Sequence, residues 1–524
     1  MPSTAIILAA GKGTRMKSRH PKVMHRLLDR PLAWWAVRSA RQAGMERIVL
    51  VVGSGAQEVR NYFAADGDAD ASIEFVEQKE RLGTGHAVRC VRDALGELKG
   101  PVVVMYADMP LVRPQTIRSL VSEARAKHNA CTVLSMTPPD PSGYGRVDAS
   151  DDGTVRAIIE HEDCTPEQRE TLRECNSGLY CFCGRRLFAN IDRITSDNAQ
   201  GEYYLTDMVG IYVGMDEPVS VVHADDYHEL LGVNSRSQLA VAAKVMQRRI
   251  NEGLMAEGVS MLDPEQVWVG AEVRVGQDTT LLPQTFLWGR TTVGSDCTIG
   301  PNSRLTNATV GNRCLVDETI IVDSAIDNDV SCGPRAYLRG GAHFHDSSKA
   351  GTHVELKGTE VGVGSKVPHL SYLGDARLGS GVNIGGGTIT CNYDGKHKSR
   401  TEIGDHVFIG SDVMLVAPVT IGDNVLFAPN VALYTVNHPL HPILRNQTWE
   451  HTAPITIGNN VWLGGNVVVL PGVSIGDNSV IGAGSVVTKN IPANSLAVGN
   501  PCRVLRQISD ADRDQYAAWG IHVE

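Results

Sequence analysis

The segment Leu8-Ala9-Ala10-Gly11-Lys12-Gly13-Thr14-Arg15-Met16, with Pro21-Lys22 close behind it, sets cationic side chains beside a glycine-rich turn. Glycine allows backbone amides to close on a phosphate chain, and Arg15 and Lys22 supply the countercharge. The Gly-Lys-Gly-Thr fragment is not a nucleotide P-loop, because the glycine required five residues before the Gly-Lys pair is missing. Asp108 follows the apolar run Val102–Tyr106, at the kind of strand end where α/β sheets gather ligands. Taken alone, the same residues also suit a structural turn and a loop-capping carboxylate.

The elements that must position these groups come in two patterns. From Thr4 to about Asp226, short β-rich runs (Ala5–Ala10, Ile48–Gly53, Val102–Tyr106) alternate with helical stretches such as Leu32–Ala43 and Gly85–Leu95. That alternation predicts a Rossmann-like, mostly parallel α/β sheet with ligands at the carboxyl ends of its strands. Ser235–Glu257 reads as a connecting helix. After Val267 an aliphatic residue followed by glycine recurs every six residues, as at Ile403-Gly404 and Ile409-Gly410, or Ile457-Gly458 and Leu463-Gly464. Ile403 and Ile421 are eighteen apart, as are Ile457 and Ile475. Three hexads per eighteen residues describe a triangular coil of a parallel β-helix, with aliphatic residues inside and glycines at tight places. The expected division is a nucleotidyltransferase-type domain at 1–232, a linker helix at 233–258 and the β-helix at 259–524. Solenoids need their ends and outer faces protected, so a self-associated form is expected.

Composition narrows the function classes. The chain has 524 residues, 42% of them hydrophobic and 21% charged, with a formal net charge of -10. An acidic balance argues against nucleic acid as a partner but leaves anionic substrates open, since local cations and amides hold phosphates. No apolar run is long enough to span a bilayer, and the first residues lack a basic leader region; no membrane partner and a cytoplasmic location are expected. Eleven dispersed cysteines fit reduced thiols better than a disulfide framework.

The turn at 8–16, together with Gln78, Leu82-Gly83-Thr84-Gly85-His86-Ala87, Tyr106-Ala107-Asp108-Met109-Pro110, Gly143-Tyr144-Gly145-Arg146 and Gly201-Glu202-Tyr203-Tyr204-Leu205-Thr206-Asp207, resembles the bifunctional N-acetylglucosamine-1-phosphate uridyltransferase/glucosamine-1-phosphate acetyltransferase family. The resemblance spans about residues 4–425 and implies a β-helix of left hand that assembles as a homotrimer. It implies that Leu8, Ala9, Ala10 and Gly11, with Gln78, Gly83, Thr84 and Tyr106, frame the nucleotide of UTP, and that Arg15 and Lys22 hold its triphosphate. Asp108 and Asn234 would be the Mg2+ ligands. Gly145, Glu160, Asn176 and Thr206 would contact N-acetylglucosamine 1-phosphate. Arg81 and Ala107 depart from that family's usual glutamine and glycine.

In the β-helix, Lys366-Val367-Pro368-His369-Leu370-Ser371-Tyr372-Leu373-Gly374-Asp375 and the run from Asn383 to Gly395 resemble the same family's acetyltransferase half. By that likeness His369 is the general base for the glucosamine 1-phosphate amine attacking acetyl-CoA, a task suited to a side chain that titrates near neutrality. Arg339, Lys357 and Lys398 match phosphate-binding positions, and Tyr372 and Asn383 sugar contacts. Gly386, Asn392, Tyr393 and Ser411 match the acetyl-CoA wall.

From about Thr420 onward, Asn437-His438-Pro439-Leu440-His441-Pro442, Ala453-Pro454-Ile455-Thr456-Ile457-Gly458 and Gly499-Asn500-Pro501 instead resemble galactoside and maltose O-acetyltransferases. There the residue matching His438 deprotonates a sugar hydroxyl. Three expectations follow for the β-helix: N-acetylation of glucosamine 1-phosphate through His369, O-acetylation of another sugar through His438, or a scaffold that only trimerises and binds ligand.

Overall fold

The apolar run that opens the chain forms β1 (Thr4–Ala9), which pairs in parallel with β2 (Arg47–Val52) on one side and β4 (Pro101–Tyr106) on the other. The computed structural model describes residues 2–53, 55–65, 73–198, 200–447, 449–514 and 516. These divide into two units, Met1–Gln247 and Arg248–Glu524, and the helix Arg236–Ala256 carries the boundary.

In the first unit the sheet also contains β3 (Ile73–Glu77), β5 (Cys131–Met136), the hairpin β6 (Arg146–Ala149) and β7 (Val155–Ile159), β8 (Cys175–Cys183) and β9 (Val219–His223). The main path runs β9-β5-β8-β4-β1-β2-β3. Only β8 runs against its neighbours β4 and β5; the remaining pairs along the path are parallel. Val102 to Met105 and Val49 to Val51 are fully buried, as expected of strands covered on both faces. The chain goes from β1 outward through β2 and β3, then returns to the other side of β1 as β4. Strand order therefore reverses beside β1, opening a crevice beyond the strand ends. Ala107 N–H donates to the Leu8 carbonyl at 3.0 Å, tying the two segments that leave this point.

The second unit is a left-handed parallel β-helix whose three faces are long parallel sheets. Ile403 lies in register with Ile421, and Ile421 with Ile457. Leu356, Leu373, Ile384, Ile409, Leu415 and Leu463 are fully buried inside the prism. Serine and threonine hydroxyls fit inside because they donate to carbonyls of the next coil, as Ser365 does to Gly379 at 2.7 Å and Thr359 to Leu373 at 2.9 Å. Glycine follows the inward aliphatic because coils approach too closely for a side chain: a Cβ on Gly362 would lie 2.3 Å from the Gly379 carbonyl oxygen.

Two excursions leave the prism between its second and third sheets. The first, 392–400, interrupts the passage from Ile389–Cys391 to Thr401–Ile403. The second separates Ala432–Leu433 from Ile455–Ile457 and contains a ribbon pairing Val436–Asn437 with His451–Thr452. All eleven thiols are free, and among the described residues no helix is long and apolar enough to cross a membrane.

Each coil rests on its neighbours, so a cavity in one coil weakens the stack. Leu415→Ala should cost about 2–5 kcal/mol and lower the guanidinium midpoint of β-helix unfolding. An unchanged midpoint would contradict this packing.

Candidate functional site

The crevice in the first unit is a cavity of about 370 Å³ lined by Leu8, Ala9, Ala10, Gly11, Lys22, Gln78, Gly83, Thr84, Tyr106 and Asp108, together with Lys12, Val23, Arg81, Ala87 and Glu202. Its floor is polar and tied together. The Lys22 ammonium donates to the Asp108 carboxylate and, at 2.9 Å, to the Asn234 carboxamide oxygen. Lys22 and Asp108 are only 12% and 15% exposed, so this cation holds two oxygens that would otherwise be poorly solvated. Asn234 is held from its own side by Gln238, which accepts from its N–H at 2.8 Å.

One wall is the loop at 82–85. Gly83 sits at φ 103°, and a Cβ there would lie 2.5 Å from the Tyr203 carbonyl oxygen. That close approach lets Tyr203 N–H reach Leu82 O at 2.7 Å and Leu205 N–H reach the Thr84 hydroxyl at 3.0 Å. The Gln78 amide donates to Gly83 O at 2.9 Å. Beyond Tyr106 lies a second polar group: Thr206 donates to Glu160 at 3.2 Å, and Asn176 N–H donates to Gly145 O at 2.8 Å. Burial, then the charges of Asp108 and Glu160, raise the Tyr106 phenol. Arg15 is exposed on its turn and is not among the cavity-lining residues.

On the β-helix, Arg339 and Lys357 are stacked in register on the second sheet, with Gly374 next in the column. Lys398, from the first excursion, joins them. Hydrogen bonding to and repulsion by Lys357 hold Lys398 below the ordinary lysine value, with Arg339 contributing. The cluster is balanced by carboxylates: Glu355 accepts from Arg339 at 2.6 Å, and Asp375 pairs with Lys357 at 3.3 Å. Asp375 also accepts from the buried Asn392 amide, whose oxygen accepts from the Tyr372 hydroxyl at 3.4 Å. Three cations gathered here, paired with Glu355 and Asp375, form a cluster whose chemistry suits an anion.

His369 is exposed at the end of Lys366–His369, in the same coil as Tyr372. Gly386, one coil on, is its neighbour: a Cβ there would be in ordinary contact, 3.5 Å from that of His369. Asn383 lies on the first sheet between Lys366 and Phe408, and Ser411 is exposed after Phe408–Ile409. The exposed Tyr393 donates to Gly395 O at 2.7 Å within the first excursion. His438 lies apart, on the second excursion, 3.9 Å from Glu450.

The structure adds residues to those expected from sequence. Lys12, Arg81 and Glu202 line the nucleotide-side cavity, and Asp375 and Glu355 organise the cationic cluster. Asp375 stood within a motif already singled out, and a carboxylate one coil from Lys357 was the available signal. Glu355, one coil from Arg339, carried the same spacing signal outside any such motif.

Residues 5–206 match the family described as MobA-like NTP transferase domain, and residues 400–434 and 454–489 match the bacterial transferase hexapeptide (six repeats). The chain is 48% identical over 427 residues to the bifunctional protein GlmU of Trichlorobacter lovleyi, covering 81% of this chain and 92% of that protein. It is 45% identical over 425 residues to the bifunctional protein GlmU of Pelobacter propionicus, covering 81% and 91%. Among solved structures, a maltose O-acetyltransferase from Clostridium difficile 630 is 42% identical, with a TM-score of 0.21 over 24% of this chain and 67% of that one.

Burial raises the Glu160 carboxyl above its ordinary value of 4.5, with the Thr206 hydroxyl opposing, and burial then Glu160 raise Asp207. A raised folded pKa means the stabilisation is full below the unfolded value and is lost as pH rises through the folded value. Glu160→Gln keeps the hydrogen bond and removes the charge. The variant should therefore lose less unfolding free energy than the parent between pH 4.5 and neutrality; parallel curves would contradict the burial argument.

Proposed function

The chain belongs to the bifunctional GlmU family, and from that premise we propose that it acetylates glucosamine 1-phosphate with acetyl-CoA and then couples the product to UTP, forming UDP-N-acetylglucosamine and pyrophosphate. The observation that carries this reading is the pairing of two unlike anion sites in one chain: a strand-end crevice in the α/β unit and a cationic cluster beside His369 on the β-helix.

In the crevice, Ala9, Ala10 and Gly11 would offer their backbone to the nucleotide, with Gln78, Gly83 and Thr84 along the base. Asp108 and Asn234 present two hard oxygens that already converge on the Lys22 ammonium, a donor set that fits a small divalent cation such as Mg2+. When bound, Mg2+ would supply charge neutralisation at the phosphates. Lys22 would then transfer from the carboxylate to the triphosphate, and Arg15 would swing in from its exposed turn. Glu160, Asn176, Gly145 and Thr206 would orient the sugar so that its phosphate oxygen attacks the α-phosphorus of UTP. That P–O bond forms as the bond to pyrophosphate breaks, and alignment with charge compensation accounts for most of the catalysis.

On the β-helix, Arg339, Lys357 and Lys398 would hold the phosphate of glucosamine 1-phosphate, and Tyr372 and Asn383 the sugar. His369 would accept the proton as the amine nitrogen bonds to the thioester carbon, and the C–S bond would break to release coenzyme A thiolate, which takes that proton from His369 to become the thiol. Gly386, Asn392, Tyr393 and Ser411 would border acetyl-CoA. The hexapeptide coils support a homotrimer, and the free thiols a cytoplasmic location.

A second reading rests on the extruded ribbon that carries His438 beside Glu450. In it the β-helix acetylates a hydroxyl of another sugar, while the uridyltransferase remains.

Asp108→Asn separates the two activities. It should reduce Mg2+-dependent pyrophosphate release by at least ~100-fold and leave acetyl-CoA-dependent thiol release unchanged. Retention of nucleotidyl transfer would remove Asp108 from the site.

A further inference from the structure

On the third face of the β-helix, the residue after each inward aliphatic occupies one vertical column. Gly294 and Gly311 fill it on one side, and Gly362 and Gly379 on the other, each bonded through its N–H to the next coil. A Cβ on any of the four would lie within 2.7 Å of its neighbour. Two consecutive coils break this rule with large polar residues: Ile326-Asp327 and Phe344-His345. Asp327 N–H still donates to Phe344 O at 2.8 Å, and His345 N–H to Val361 O at 2.9 Å, so the ladder is intact.

The side chains that replace glycine meet. Asp327 Oδ2 lies 3.0 Å from His345 Nδ1, and Asp327 Oδ1 lies 2.9 Å from Nε2 of His343, which sits two residues before His345 on the same outward face. Donor atoms from the three residues lie within 4.8 Å of one another. The remaining nitrogen of His345, Nε2, is 3.2 Å from Glu360 Oε1. Glu360 is anchored by Arg377 at 3.5 Å. Two imidazoles and one carboxylate, with the second nitrogen of an imidazole oriented by a further carboxylate, are how proteins hold zinc-class ions. Donors around a tetrahedral ion sit roughly 3.4 Å apart. Each imidazole nitrogen lies 2.9–3.0 Å from a carboxylate oxygen, and the three donors lie within 4.8 Å of one another, a spread that side-chain rotation can close on one ion.

We propose that Asp327, His343 and His345 bind a divalent transition-metal ion of the zinc class, through Asp327 carboxylate oxygen, His343 Nε2 and His345 Nδ1, and that Glu360 is a positioning residue that orients His345. The ion cross-links two successive coils at the place where the glycine column is interrupted. This site is separate from the oxygen-only pair Asp108 and Asn234, and it does not depend on which acceptor the β-helix acetylates.

The test uses the full chain, treated with a chelator, dialysed, and titrated with Co2+ alone. The expected result is one equivalent bound with a visible d–d spectrum of nitrogen and oxygen ligands and no thiolate charge-transfer band. His343→Ala and His345→Ala should each abolish that equivalent, and Glu360→Gln should weaken it about 10–100-fold. Both histidines are partly exposed while Phe344 between them is buried, and far-ultraviolet circular dichroism checks that the coils remain formed. Asp327→Asn, nearly isosteric, provides a variant that keeps the column filled and should also lose the ion. Equal uptake by parent and variants, a thiolate spectrum, or no uptake by the parent would overturn the proposal and leave an ion-pair ladder.

Discussion

Coil-to-coil register is the constraint on which the acetyltransferase half depends. Backbone N–H groups of each coil donate to carbonyls of the coils on either side, an arrangement that keeps aliphatics inward and leaves glycine where two coils nearly touch. Because that register holds from Thr280–Leu281 through Val480–Ile481, side chains far apart in sequence acquire fixed neighbours. Arg339 stands over Lys357 for this reason alone, and the first excursion can bring Lys398 to the same place. The cluster needs no dedicated loop scaffold beyond this. Excursions leave the prism without disturbing it because Val419 pairs with Ile455 just as Thr401 pairs with Val419.

The α/β unit solves the same problem with strand ends. Leu8 O, Ala107 N–H and the neighbouring termini of β1 and β4 fix where the glycine turn and Asp108 emerge, and Val233 N–H donates to Asp108 O at 2.8 Å to bring Asn234 in. Lys22 bridges Asp108 and Asn234 and holds a positive charge at the strand ends. The cost of burying these groups is offset by their mutual hydrogen bonds.

Much of this was legible in the residues. The hexad period names both the inward and the close-contact positions, since no other arrangement keeps Ile403, Ile421 and Ile457 in line. The parallel strands were visible as unbroken apolar runs. Convergence was legible only through the family resemblance: Lys22, Asp108 and Asn234 are far apart in the chain, and nothing local marks them as neighbours. Asp375 was readable as a motif residue one coil from Lys357, and its bonds to Lys357 and Asn392 place it among the cations. Asp327 and His345 were hidden differently. Each is an ordinary polar residue in one dimension, and becomes an anomaly only when the coils are stacked and the column is otherwise glycine.

The central claim is that the β-helix acetylates an amine through the coil bearing His369 rather than through the excursion bearing His438. The most direct measurement is acetyl-CoA-dependent thiol release with glucosamine 1-phosphate for the parent, His369→Ala and His438→Ala. The account predicts that release falls by ~100-fold or more in the first variant and stays at the parent rate in the second. Loss in His438→Ala alone, or no release with this acceptor in the parent, would contradict it and assign the acetyl transfer to the excursion.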